Sequence, residues 1–239
     1  MVLIVSTSFI NTEAFSKKSV KNISSAVAIK NNDIPTIFNL YNSLRLDSLG
    51  LSKEAFFTAI NGLDSLQTAG IIKNNRIISI VDFSLPSYKK RLFIIDLVSG
   101  KLLFNTFVSH GKNSGKEMAT KFSNDLNSFA SSLGFYVTGD TYEGEHGYSL
   151  RLQGLEEGIN DNAYDRSIVM HSAPYINGQV IKKLGYIGRS LGCPAIPVSV
   201  HKAIINTIKN GSCLFLYSPD EQYLSHSRFL KSSAVNLRA

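Results

Sequence analysis

The sequence predicts an α+β protein built on a largely antiparallel β core, and three observations carry that prediction. Apolar residues recur at helical spacing near the start of the chain and again near its end. Between those stretches, short β-branched and aromatic runs follow one another with turn residues in the gaps. A chain of 239 residues is also long enough for one well-buried core with a small accessory element.

Taken in order, residues 1–33 are rich in Ser, Asn and Lys without a clear period, and read as a disordered lead-in. Their start, MVLIVSTSFI, is apolar but lacks the positive residues that precede the apolar part of a secretory signal. It reads either as the remnant of such a signal or as a weakly docked end. Ile37, Leu40, Tyr41 and Leu44 set a helical spacing, which predicts a helix over 35–49 with Gly50 as its stop. Ser52 then stands as N-cap before Lys53-Glu54-Ala55-Phe56, and a second helix should reach Ala69 and end at Gly70. The two make an N-terminal helical hairpin over residues 34–72. From Arg76 the pattern turns to strands at 76–83, 92–96 and 101–109, with Val98-Ser99-Gly100 as the hairpin turn between the last two. Further short strands are expected at 134–142, 149–152, 167–171 and 213–217. One late helix spans 198–209, with Ser199 near its start and Gly211 past its end. The β-rich domain thus covers 73–220, and residues 221–239 read as a C-terminal tail.

Composition narrows the class. At 44% hydrophobic and 18% charged residues the chain is neither collagenous nor disordered in type. No run of about 18 apolar residues occurs, so no integral membrane segment is expected. The net charge of +7 favours polyanionic partners, which include nucleic acid and carboxylate-bearing envelope polymers. The basic residues are scattered, apart from Lys17-Lys18-Lys21 and Lys89-Lys90-Arg91, and none is interleaved with stacking aromatics. Nucleic acid is therefore not an expected partner. Two cysteines, Cys193 and Cys213, cannot make a disulfide framework, and neither lies in a CxxC pattern. Cys213, within Gly211-Ser212-Cys213-Leu214-Phe215-Leu216-Tyr217, reads as inert strand packing.

The segment SIVMHSAPYINGQVIKKLGYIGRSLGCPAIP, residues 167–197, concentrates the chemistry. A strand delivers His171 at its end, followed by Ser172, and a loop leads to Gly188-Arg189-Ser190-Leu191-Gly192-Cys193. A thiol is only a few per cent ionised at neutral pH, so a nearby imidazole is needed to take its proton. The resulting imidazolium can return that proton to a leaving amine. Glycine at 192 lets the backbone approach a carbonyl closely, and N–H groups at Gly192 and Cys193 are suited to an oxyanion. Read from residues alone, a structural His171 and a small buried Cys193 remain the alternative. His201, on the late helix, reads as a partly exposed polar residue.

The Ser190-Leu191-Gly192-Cys193 element with its upstream His171-Ser172 resembles the signature of bacterial L,D-transpeptidases. That signature has a strand-borne His-Gly or His-Ser, a loop, and Ser-His-Gly-Cys. More closely, residues 35–218 resemble the murein L,D-transpeptidase catalytic domain family. The likeness runs through Gly50-Leu51-Ser52, Val81-Asp82-Phe83-Ser84, Ser109-His110-Gly111, Phe122-Ser123-Asn124, Ser131-Ser132-Leu133-Gly134-Phe135-Tyr136, Gly147-Tyr148-Ser149-Leu150-Arg151-Leu152 and Gly188-Arg189-Ser190.

The resemblance implies a cysteine acyltransferase acting on peptidoglycan tetrapeptide stems in the periplasm or envelope, without a metal or organic cofactor. The bond after the L-centre of diaminopimelate is cut, D-alanine leaves, and the acyl group passes to a neighbouring stem's amine or to water. It also implies that carbapenems acylate the cysteine. Cys193 is then the nucleophile and His171 the base, with Ser172 orienting the imidazole through its backbone carbonyl. Ser190, Gly192 and Cys193 form the loop around the oxyanion, and Arg189, His110 and Arg151 are candidates for gripping substrate carboxylates. Two departures stand out: Leu191 occupies the place of the second histidine, and Pro194-Ala195 follows where an arginine is usual. The first motivates a rival, a peptidoglycan-binding domain without chemistry. A third reading, a zinc-dependent murein peptidase on His110, His146 and His171, lacks an H-E-x-x-H and has widely spaced histidines. The acyl acceptor and the oligomeric state are not legible in the sequence.

Overall fold

Helix α1 (Ile34–Ser43) opens the computed structural model, which describes residues 34–231; the lead-in expected over 1–33 lies outside the described residues. The helix stops six residues short of the expected position 49. Arg45 adopts a left-handed φ of 50°, while its N–H bonds Asn42 O at 3.0 Å and the Leu46 N–H bonds Tyr41 O at 3.2 Å. This pairing closes a helix end with a residue other than glycine, so the glycine rule placed the stop too late. Leu46 is thereby buried, and the Tyr41 hydroxyl donates to Leu51 O at 2.6 Å to hold the return. Helix α2 (Lys53–Thr68) follows the expected punctuation: the Ser52 hydroxyl accepts the Ala55 N–H at 3.1 Å, and Gly70 sits past the end with φ of 69°.

The strands are β1 (Asn74–Asp82), β2 (Leu92–Asp96), β3 (Lys101–Thr106), β4 (Gly134–Gly144), β5 (Gly147–Gly154), β6 (Val169–Ser172), β7 (Ala195–Ile196) and β8 (Ser212–Tyr217). They form one sheet in the order β3-β2-β1-β8-β4-β5-β6-β7. The β1–β8 and β6–β7 pairs are parallel and the other five antiparallel, so the core is largely antiparallel as expected. Strands β2 and β8 are buried at every residue, which explains their unbroken apolar sequence. Helix α2 covers β1 and β8 with a stripe of Ala55, Phe56, Ala59, Ile60, Leu63 and Leu66. Helix α4 (His201–Ile208) touches β1 on one side and the β5–β6 pair on the other; β8 and β4 lie between them in the sheet, so the sheet curls around the helix. The curl nearly closes. The Ser109 N–H, just past β3, bonds Ala195 O of β7 at 2.9 Å, and Gly111 bridges Ser190.

Three helices were not expected. Helix α3 (Gly178–Leu184) is capped by Asn177 and ended by Gly185 at φ of 81°, but buries no residue, so it leaves no apolar period to read. Residues read as a tail form α5 (Glu221–His226) and α6 (Arg228–Lys231). They dock on Glu156, a buried carboxylate that accepts the Phe135 N–H at 2.8 Å, the Tyr223 hydroxyl at 3.2 Å and the Ser227 hydroxyl. Among the described residues no helix is long and apolar enough to cross a membrane.

Gly62 lies mid-helix beneath the Phe135 ring, which itself stacks on Phe215 with centroids 4.2 Å apart. Alanine at 62 gains about 1 kcal/mol in helix propensity, but its methyl would occupy the ring's position, and overpacking costs about 1–3 kcal/mol. Gly62→Ala should therefore lower the thermal midpoint. A midpoint equal to or above that of the unmodified protein would show that the ring yields freely.

Candidate active site

Parallel pairing of β6 with β7 sets His171 opposite Ala195 and Ser172 opposite Ile196. Cys193 lies two residues before Ala195, and its Sγ accepts the Val169 N–H at 3.5 Å, two residues before His171. Register alone thus brings thiol and imidazole to neighbouring strands. In the resting geometry the thiol donates to Ser167 O at 3.6 Å. Ser167 itself adopts a left-handed φ of 55° where the chain turns into β6.

His171 is nearly inaccessible, and its Nδ1 lies 2.9 Å from the Ser172 carbonyl. A carbonyl only accepts, so Nδ1 carries the proton and Nε2 of the neutral ring is bare. The β4–β5 hairpin turn lays His146 over the same ring, with centroids 4.2 Å apart and planes 22° from parallel. Burial pushes the His171 pKa below its ordinary 6.5; the Ser172 carbonyl opposes this, and His146 adds to it. At Cys193 burial pushes the thiol up, against the Val169 N–H and the Arg166 guanidinium, which pull it down. Both shifts favour the uncharged forms. At rest the thiol and the imidazole are both uncharged.

The turn before the sulfur is wired by three buried serines. The Ser190 hydroxyl accepts the Gly192 N–H at 3.1 Å and donates to Cys193 O at 2.6 Å. Ser109 also donates to Cys193 O at 3.1 Å, and its hydroxyl accepts the Ala195 N–H at 3.0 Å. Ser131 donates to Gly192 O at 3.2 Å and accepts the Gly111 N–H at 3.1 Å. Gly192 has φ of 127°, and a Cβ there would meet Ala130 O at 2.8 Å and Ile168 Cδ1 at 2.9 Å, so both conformation and space require glycine. The Gly192 N–H, expected to face a substrate oxygen, is instead given to the Ser190 hydroxyl.

The three expected carboxylate grips separate. His110 is a correction: it is fully buried, takes an Arg91 N–H on Nδ1 at 2.7 Å and lies 3.3 Å from Gly115 O through Nε2. Burial, and then the Arg91 charge, push its pKa down to about 4, so it is a neutral strut that no substrate reaches. Arg189 spends Nη1 on Lys112 O and Gly115 O, each at 3.0 Å, and ties the loop after β3 to the turn at 190. Arg151, opposite Val169 in the β5–β6 pairing, lies over the Tyr142 ring and 3.6 Å from an exposed Asp140. A loose surface pair of this kind leaves its guanidinium available. The zinc reading loses its ligands, because His110 is committed to Arg91 and His146 meets His171 face to face. Among the described residues no group of three or more His, Cys, Asp and Glu is arranged to hold a metal ion. Cys213 is buried on β8, and burial drives its thiol far above the ordinary range. Both cysteines are free. Ser109, Ser131 and Arg166 carry no motif of their own; the two serines stood only within sequence blocks that resembled the family.

A family model described as the L,D-transpeptidase catalytic domain matches residues 47–217. A comparison with curated protein sequences finds no match. Among solved structures, an L,D-transpeptidase from Mycobacterium smegmatis is similar at 13% identity and a TM-score of 0.37, over 60% of this chain and 59% of that one. An L,D-transpeptidase from Stackebrandtia nassauensis is similar at 13% identity and a TM-score of 0.36, over 78% of each chain. A helical cell shape determining protein from Campylobacter jejuni gives 13% and 0.37, over 72% of this chain and 58% of that one. The chain spans about six tenths of the length of the first of these structures.

The stacked rings make a prediction. His146→Ala removes a like charge and part of the cover over His171, so the His171 titration, followed by NMR, should move up toward 6.5. A midpoint that stays or falls would show that the stack has no electrostatic effect.

Proposed function

We propose that this chain, which belongs to the L,D-transpeptidase catalytic domain family, is a peptidoglycan L,D-transpeptidase working by acyl transfer through Cys193 in the cell envelope. One observation supports the reading above the others. His171 has its Nδ1 against the Ser172 carbonyl, which leaves Nε2 as the free base one strand from the sulfur.

In this mechanism the thiol swings from Ser167 O and gives its proton to His171 Nε2. The sulfur then bonds to the carbonyl carbon at the L-centre of the stem's diaminopimelate, and the carbonyl electrons move to oxygen against the Cys193 N–H. Collapse of that intermediate breaks the carbon–nitrogen bond, and the imidazolium protonates the departing D-alanine amine. A thioester remains. A neighbouring stem's amine, or water, attacks it while His171 accepts the incoming proton, and the sulfur leaves and is reprotonated. Arg151, on the strand paired with β6 and only loosely held by Asp140, is the candidate grip for a substrate carboxylate, and Arg189 acts as a strap on the loop. The chemistry needs no cofactor.

Incubation with tetrapeptide muropeptides, read by mass spectrometry, should show loss of D-alanine. Cys193→Ala should abolish turnover, and His171→Ala should lower it about a hundredfold or more. Because His171 is held below 6.5, the acid limb of kcat/KM should fall below that pH. A carbapenem should leave one adduct on the protein and none on Cys193→Ala. Stem binding without turnover or adduct, in folded protein, would move the reading to a wall-binding domain. Full turnover by Cys193→Ala would end the thiol mechanism.

A further inference from the structure

Four oxygens of one loop converge on a single guanidinium. Arg166 Nη1 donates to Ser123 O at 2.8 Å and to the Ser132 hydroxyl at 2.5 Å. Its Nη2 donates to the Ser128 hydroxyl at 3.1 Å and to Ala130 O at 2.5 Å. All four partners are neutral. Among the described residues the ion pairs are Arg76–Asp96 and Arg151–Asp140, so no carboxylate neutralises Arg166. Asp125, on the same loop, instead accepts from the Ser123 hydroxyl at 3.0 Å.

A half-buried cation without a counter-ion is costly, and its position gives it a use. Nη2 lies 3.3 Å from where a Cβ on Gly192 would stand, against the residue that precedes the sulfur. We infer that Arg166 is a positioning residue for the reactive thiol, its cation held beside Gly192 by the loop over 123–132 so that the thiolate form of Cys193 is favoured. The other groups facing the sulfur do not carry that charge. Tyr136 on β4 and Tyr175 beyond β6 are phenols that burial keeps protonated, and on the next strand burial disfavours the charged form of His171. Asp125 acts on the guanidinium from the loop, and Arg166 acts on the sulfur. The inference rests on the proposed function for its use in turnover, although ionisation of the thiol can be measured without any substrate.

The test is alkylation of Cys193 by iodoacetamide against pH, read on the Cys193 peptide by mass spectrometry, with the thermal midpoint of each protein recorded. The pH midpoint of the profile is compared, because a more basic thiolate is also intrinsically more reactive. In Arg166→Met the midpoint should rise, and the thiolate fraction on its acid side should fall about three- to tenfold. Arg166→Lys, which keeps the charge, should stay close to the unmodified protein. An unmoved midpoint in folded Arg166→Met, whatever its thermal stability, would reduce Arg166 to a loop staple. So would an Arg166→Lys midpoint displaced as far as that of Arg166→Met. If Arg166→Met does not fold, Arg166→Gln, which keeps an N–H donor for the loop oxygens and removes the charge, takes its place. There a raised midpoint supports the inference and an unmoved one overturns it. These outcomes are independent of whether Cys193→Ala turns over stems, so this inference and the catalytic reading can fail separately.

Discussion

Burying the turn at Gly192 obliges its backbone polar groups to find partners inside the protein, and much of the architecture follows from that demand. An unpartnered buried N–H or C=O costs about 1–3 kcal/mol, which is comparable to the gain from burying one Leu or Ile. Ser109, Ser131 and Ser190 each use their hydroxyl both to donate and to accept, and none has a second proton to give. They come from three separate places in the sequence. Their convergence therefore needs the sheet to curl until the end of β3 lies along β7, and the curl is what α4 supports from within.

The same burial decides the chemical state of the site. It raises the thiol and lowers the imidazole, so the ion pair is disfavoured at rest. Each unit of displacement adds about 1.4 kcal/mol to forming it. The Val169 N–H at the start of β6 and the cysteine's own backbone N–H offset part of that cost. A fixed cation at Arg166 offsets a further part, and the loop that holds the cation also supplies Ser131 to the turn. Packing and ionisation are thus set by one loop.

Much of this was legible in the sequence where the signal is local. The cap at Ser52, the hairpin around Val98-Ser99-Gly100 and the apolar runs of β2 and β8 follow from residue type and spacing. His171 at a strand end and Gly192 before Cys193 were visible for the same reason. What escaped was of two kinds. Helix α3 buries nothing, and α1 ends on Arg45 where a glycine was sought. His110 read as a polar residue near the site, because neither its burial nor its commitment to Arg91 leaves a trace in sequence spacing. Arg166 was overlooked because its partners lie 34 to 43 residues away and are mostly serines.

The departure at Leu191 has the same explanation. That side chain is 58% exposed, so the turn carries it toward water and away from the buried imidazole. The ring packed on His171 arrives instead through His146, from a hairpin 25 residues upstream in sequence and next to β6 in the sheet. A position in a motif and a position in space are therefore different things here. The turn at 190–193 fixes the backbone around the sulfur, and strands β4 and β5 govern the surroundings of the imidazole. Changes in the signature at 191 bear on the first of these and leave the second untouched, so the stack of His146 on His171 does not depend on the residue at 191.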